Sequence, residues 1–199
     1  MALTNERAAA ADHAAARRAM IDSQLRTSGV NEPWVLAAFA ALPREDFVPE
    51  GARAAAYIDR AVPLGGGRLL AAPLVHAKML AEAAPSPADK ALLIGDGNGY
   101  LAALLRPLVG SLDTVTVDSA SKAKGSYDLL VIDGAVEELP ATVAARLVEG
   151  GRLVTGLVER GVTRLATGRK AGGDIALFPL AEIGIPVLTE FAAPRRWSF

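Results

Sequence analysis

The sequence predicts an α/β fold: a single doubly wound sheet of Rossmann type, mostly parallel, with an antiparallel C-terminal hairpin and an N-terminal helical extension. Three observations predict it. Short apolar runs at residues 91–94 and 127–133 alternate with helical stretches, the pattern of parallel strands joined by crossovers. Gly95-Asp96-Gly97-Asn98-Gly99 lies between the first run and the apolar helical stretch 100–108. Residues 163–170 and 175–180 flank Ala171-Gly172-Gly173-Asp174, which reads as a hairpin.

Taken in order, residues 5–28 are mostly good helix formers and are followed by Gly29, so they form one long helix or two. Asn31 is the expected N-cap of a second helix that buries Val35, Leu36 and Phe39 and stops before Pro43. Phe47 and Tyr57 are expected core anchors. Leu64-Gly65-Gly66-Gly67 must turn tightly or approach something closely. Pro73 opens a helix to Glu82, and Pro85-Ser86-Pro87 links it to the first strand. A second strand is expected at 112–118, and a helix at 138–148 capped by Gly150-Gly151. The chain is read as one domain, with residues 1–60 as the helical extension and 61–199 as the α/β core.

At 199 residues, 51% apolar and 22% charged, the chain has the composition of one globular domain. A formal net charge of -1 leaves no basic excess for nucleic acid or an acidic membrane, so neither is an expected partner. The absence of cysteine excludes disulfides, thiolate catalysis and cysteine-bound metals. No uninterrupted apolar run has the length of a signal or a membrane span, and a soluble, cytoplasmic protein is expected.

A glycine loop between a buried strand and a helix sits where such sheets bind ligands, although the glycines serve equally well simply to turn strand into helix. A dinucleotide loop would read GxGxxG, but Tyr100 stands at the third glycine, and Asp96 would put a carboxylate beside a pyrophosphate. The spacing GxGxG instead matches the S-adenosylmethionine loop of methyltransferases, whose ligand carries a sulfonium cation. Asp118 at the end of the second strand could accept from ribose hydroxyls or form a turn. Asp133 ends the third strand as a site residue or a helix N-cap, and Glu137 and Glu138 follow as cleft residues or a solvated helix start. His13 and His76 have no third ligand at metal spacing and are read as solvated or packed. Arg195-Arg196-Trp197 reads as a frayed terminus or a peptide-binding lip.

Five blocks, in order, carry a resemblance. Ile21-Asp22-Ser23-Gln24-Leu25-Arg26, Leu42-Pro43-Arg44-Glu45-Asp46-Phe47-Val48-Pro49, Tyr57-Ile58-Asp59-Arg60-Ala61-Val62-Pro63-Leu64-Gly65, Leu93-Ile94-Gly95-Asp96-Gly97-Asn98-Gly99-Tyr100 and Leu147-Val148-Glu149-Gly150-Gly151-Arg152-Leu153-Val154 together resemble the protein-L-isoaspartate O-methyltransferase family, in a divergent bacterial branch. The resemblance implies a seven-stranded methyltransferase sheet that uses S-adenosylmethionine to esterify isoaspartyl carboxylates of damaged proteins. It implies cofactor contacts from Gly95, Asp96, Gly97, Asn98, Gly99 and Asp118. The substrate pocket it implies draws on Asp59, Leu64, Gly65, Gly66, Gly67, Ala71, Pro73 and Asp133.

Three departures from the family stand out. Ala71 occupies the position of a serine that faces the carboxyl to be methylated, so no catalytic residue is assigned. Leu93 replaces an acidic residue that helps hold the methionine part of the cofactor. Only residues 119–126 separate Asp118 from Tyr127, where the family has a helix, a third strand and a loop walling the adenine. Eight extended residues reach about 27 Å, so the expected link is taut and leaves one sheet face thinly covered, unless 112–118 is not the ribose strand. The alternative reading is therefore an inactive family member acting as a protein- or peptide-binding scaffold.

Overall fold

The computed structural model describes residues 2–194, so Arg195, Arg196 and Trp197 lie outside the described residues. The chain divides into two compact units, Met1–Ala81 and Glu82–Phe199. Among the described residues no helix is long and apolar enough to cross a membrane, and no group of three or more His, Asp or Glu side chains is placed to hold a metal ion.

In the first unit α1 (Ala2–Met20) runs without a break into a π-turn (Ile21–Leu25) and a 3-10 turn (Arg26–Ser28), so the long predicted helix is one helix whose winding changes. Gly29 ends it in the left-handed region at φ 86°. α2 (Pro33–Ala41) buries Val35, Leu36 and Phe39 as expected, but its N-cap is Glu32. Pro33, at the first helical position, sets the start, and Asn31 lies one residue outside it. β1 (Val62–Gly65) and β2 (Arg68–Leu70) form an antiparallel hairpin. A side chain on Gly66 or Gly67 would meet nothing within 4 Å, so these glycines are required by their positive φ, 60° and 77°, and not by a close neighbour.

Arg44 and Tyr57 are the buried hub of this unit. Arg44, 0% exposed, donates from Nε to the Ala56 carbonyl at 2.8 Å and from Nη2 to the Ala71 carbonyl at 2.5 Å. The Tyr57 hydroxyl donates to Glu45 and accepts from the Arg44 amide at 3.2 Å and from Arg17 Nε at 2.8 Å. Arg17 also reaches Glu45 at 3.1 Å. Phe47, the other expected anchor, is only half-buried. Burial raises the Glu45 pKa, but the Tyr57 hydroxyl bond and the Arg17 charge outweigh it, and the net shift is downward. A carboxylate with a depressed folded pKa contributes stability that is present above its unfolded value and lost as pH falls through the folded value. Glu45→Gln is therefore expected to flatten the loss of thermal stability between neutral and acidic pH. Melting temperatures measured across that range in both proteins check this; parallel acid limbs would contradict it.

α3 (Pro73–Ala83) begins in the first unit and ends in the second. The second unit holds β3 (Lys90–Ile94), α4 (Tyr100–Leu105), β4 (Ser111–Val115), β5 (Tyr127–Val136), α5 (Ala141–Ala144), β6 (Leu147–Glu159), β7 (Val162–Ala171) and β8 (Asp174–Glu182). The sheet order is β4-β3-β5-β6-β7-β8. β3 pairs in parallel with β4 and β5, and β5 in parallel with β6; β7 and β8 follow antiparallel. The expected hairpin at Gly172-Gly173 forms, and a second one turns at Arg160-Gly161. The α/β class and its antiparallel end are as read from sequence.

Two expectations about connections are corrected. The helix expected at 138–148 is a single turn, Ala141–Ala144, because Leu147 already pairs with Tyr127 as the start of β6. Gly150 and Gly151 lie in a bulge of that strand, where Tyr127↔Leu147 is followed by Leu129↔Arg152. The link out of the second strand is not taut, since β4 ends at Val115 and leaves eleven residues, 116–126, of which Val117–Lys122 coil into a 3-10 helix. Returning from the top of β4 to the foot of β5 takes about 17 Å along and 10 Å across, well within their extended reach of about 37 Å. Nor is that face bare: Ala120 and Ala123 pack with Leu92, Ile94, Leu130 and Ile132 in the core. Right-handed crossovers place α4 and this link on opposite faces, because the chain steps from β3 to β4 in one direction and back past β3 to β5 in the other.

Candidate functional site

The direction of the chain reverses between β3 and β5, and the carboxyl ends of those strands are where an open α/β sheet holds its ligand. β3 is buried along 91–94, and Leu93 belongs to that core at 0% exposure. The chain then enters the glycine turn. The Gly95 amide donates to the Val115 carbonyl at 2.9 Å, and the Gly99 amide to the Asp96 carbonyl at 2.9 Å. Asp96 Oδ1 accepts from the Asn98 amide at 2.9 Å, closing the turn with a side-chain oxygen. Arg106, from the 3-10 turn after α4, donates to the Gly97 carbonyl at 3.2 Å.

Close packing explains two of the glycines. A Cβ on Gly95 would come within 2.9 Å of Asp133 Cβ, and one on Gly97 within 2.4 Å of Thr114 Oγ1. The turn is thus clamped between β5 and β4. Asp133 does not end its strand: β5 runs on to Val136, and Asp133 sits in a bulge where Val131↔Val154 is followed by Ala135↔Gly156. A bulge re-aims the side chain it carries, here to the flank of Gly95.

The structure therefore brings Gly95, Asp96, Gly97, Asn98, Gly99 and Asp133 together at one sheet edge. Asp118 is not on a strand; it is exposed in the first turn of the 3-10 helix, three residues past the end of β4. In the first unit Asp59 is exposed, Leu64 and Gly65 close β1, Gly66 and Gly67 form the hairpin turn, Ala71 is buried with its carbonyl on Arg44, and Pro73 begins α3. His76 is packed in α3 at 0% exposure, and His13 lies 3.8 Å from Glu45. Cavities of about 320 and 570 Å³ lie elsewhere, the first lined by Ile21, Arg26, Asn31 and Leu36, the second by Glu159, Arg160, Val162 and Arg164.

Thr114, Arg106 and the bulge at Asp133 are parts of the site that sequence reasoning missed. Only the bulge had a signal, the glycine at Gly134 inside an otherwise apolar strand. As a donor set the edge is acidic, with Asp96 inside the turn and Asp133 beside it. A pyrophosphate would face two carboxylates there, whereas a sulfonium or ammonium cation would face opposite charge. The residues fit the methionine half of an S-adenosyl ligand better than a dinucleotide.

Comparison with known proteins identifies the family. A family model described as protein-L-isoaspartate(D-aspartate) O-methyltransferase matches residues 15–123. The chain is similar to a protein-L-isoaspartate O-methyltransferase of Koribacter versatilis, 33% identical over 186 residues, covering 80% of this chain and 84% of the relative. A relative of the same description from Methanoculleus marisnigri is 30% identical over 203 residues, covering 88% and 92%. The fold is shared with a Plasmodium falciparum structure described as a protein-L-isoaspartate O-methyltransferase in complex with S-adenosyl-L-homocysteine, at a TM-score of 0.70 and 18% identity, covering 89% of this chain and 98% of that one.

Proposed function

Since the chain belongs to the protein-L-isoaspartate O-methyltransferase family, we propose that it transfers a methyl group from S-adenosylmethionine to the free carboxylate of isoaspartyl residues in damaged proteins. The observation that carries this reading is the acidic glycine turn at 95–99, with Asp133 at its flank, at the point where the strand order reverses. The cofactor, when bound, supplies a methyl carbon on a positively charged sulfur. Asp96 and Asp133 would hold the cationic groups by charge, while Gly95 and Gly97 keep the turn free of side chains. Asp118 would take the ribose, and residues 59, 64–67, 71 and 73 are proposed for the substrate on the family resemblance.

A carboxylate is already a nucleophile, so the reaction needs no general base. The protein's task is to align the carboxylate oxygen with the methyl carbon. Ala71 cannot donate the hydrogen bond that a serine would, and this lowers the rate through misalignment without removing a nucleophile. Ala71→Ser is expected to raise isoaspartyl-peptide methylation without bringing it to the level of a family member that retains the adenine wall. Turnover equal to such an enzyme, measured side by side, would show that the shortened 116–126 link costs nothing.

The reading is tested by titrating the purified protein with S-adenosylhomocysteine. Micromolar affinity, about -8 kcal/mol, is expected. Asp96→Asn keeps an oxygen for the Asn98 amide but loses the charge, and is expected to weaken binding about tenfold. If Asp96→Asn binds like the unaltered chain while Asp96→Ala does not, Asp96 serves only the turn. No heat and no thermal shift at millimolar ligand would remove the methyltransferase reading and leave the scaffold reading.

A further inference from the structure

The chain past β8 returns to the site. Ile183 and Ile185 donate their amides to Thr163, at 3.2 Å to its carbonyl and 3.1 Å to its hydroxyl, which fixes the start of a C-terminal strap on β7. Ile185 is buried at 4% exposure, and Phe191, six residues on, joins the core at 6%. Between these two anchors Val187 (47%), Thr189 and Glu190 are exposed, whereas Pro186 and Leu188 are half-buried and Leu188 packs against the core. Its middle is held by a parallel bridge between Val187 and Ala135, in which the Ala135 amide donates to the Pro186 carbonyl at 2.8 Å and the Leu188 amide to the Ala135 carbonyl at 2.9 Å.

That bridge fixes where the segment lies. A strand has two edges, and β6 holds one edge of β5 through Val136. The other edge is the one that β3 occupies up to the pair Ile94↔Ile132. Beyond Ile94 the β3 chain leaves the sheet as the glycine turn, and residues 186–188 take the vacated position along β5. Leu188 packs so closely on Gly134 that a Cβ there would sit 2.5 Å from its Cγ. Gly134 is the neighbour of Asp133, the residue against Gly95. The strap therefore lies in the crevice at the switch point.

We propose that residues 186–190, tethered by Ile185 and Phe191, form a flap over this crevice that lifts off Ala135 to admit the S-adenosyl ligand; this rests on the function proposed above. Two backbone hydrogen bonds and the half-buried Leu188, which packs on Gly134 and the core, hold the middle, whereas the fully buried Ile185 and Phe191 sit at the ends, so opening costs the Leu188 contact while both anchors stay in place. Gly184, exposed before the first anchor, gives the backbone freedom to follow.

The chain has no cysteine, so a single engineered pair can lock the flap. Bridge partners stand about 4.8 Å apart, within the Cα separation a disulfide accepts. In the double variant Ala135→Cys, Val187→Cys the reduced protein is expected to bind S-adenosylhomocysteine and the oxidised protein at least tenfold more weakly, with recovery on adding dithiothreitol. Equal affinity in the two redox states would overturn the flap and leave the methyltransferase reading intact. No binding by either state or by the unaltered chain would overturn both. Should the double variant fail to fold, hydrogen exchange of the unaltered chain decides: saturating S-adenosylhomocysteine is expected to speed exchange at the Ala135 and Leu188 amides, and slowing or no change there would show that the strap is a fixed wall.

Discussion

Gly97→Val is expected to abolish measurable binding of S-adenosylhomocysteine and to destabilise the protein by about 1–3 kcal/mol, the usual cost of forcing extra methyls into a packed site. The added Cβ would meet Thr114 Oγ1 at 2.4 Å and Thr114 Cβ at 3.1 Å. Threonine is stiff at χ1 and its Cβ is tied to the strand, so the turn has to move away from β4. That movement strains the Arg106 bond to the Gly97 carbonyl and the Asp96 cap on Asn98 together. Titration calorimetry and thermal melting give the two readouts. Combining Gly97→Ala with Thr114→Ala is expected to bind more tightly than Gly97→Ala alone, because the colliding hydroxyl is gone. Ligand affinity within threefold of the unaltered protein in Gly97→Val would contradict the clamped turn.

Arg44→Met is expected to lower the melting temperature by about 10 °C. Removing the guanidinium strands the buried carbonyls of Ala56 and Ala71, at about 1–3 kcal/mol for each unsatisfied acceptor, and a protein of this length loses about 2–4 °C per kcal/mol. Methionine restores much of the volume, so the loss reads the missing hydrogen bonds more than a cavity. Arg44→Lys keeps a charge but not the fork that reaches two carbonyls at once, and is expected to recover only part of the loss. A melting temperature within 2 °C of the unaltered protein in Arg44→Met would show that those carbonyls find other donors.

The residues that could be read in the sequence are those whose signal is local. The alternation of apolar runs and helices gave the sheet, the Gly172-Gly173 pair gave its hairpin, and Gly95, Gly97 and Gly99 after a buried run gave the turn. What stayed hidden depends on contacts between segments far apart in the chain. Thr114 meets Gly97 only because β4 lies beside β3, and Asp133 reaches Gly95 only because β5 bulges. The helix expected at 138–148 had the right composition, but pairing of Leu147 with Tyr127 overrode it. The apolar and β-branched residues of 112–118 read as a strand out to Asp118, but the strand stops at Val115, where its pairing with β3 stops at Ile94. The strap over β5 carried no sequence signal, since a bridge at one residue has no periodicity to read.

Among the described residues β4 forms the rim of the sheet, with β3 as its one neighbour. The resemblance implies that relatives carry a further strand in the stretch that here is the short link from β4 to β5. A rim strand is joined to the sheet by one ladder of hydrogen bonds, whereas an interior strand is joined by two. A sheet that ends at β4 keeps every parallel pair, its register and the reversal at β3 and β5, provided the link still spans two strand positions. The link 116–126 does so while folding Ala120 and Ala123 into the core. Architectures of this kind can be trimmed from the periphery inward, and the glycine turn, at the end of β3 with one strand, β4, between it and the rim, is preserved by its address in the sheet.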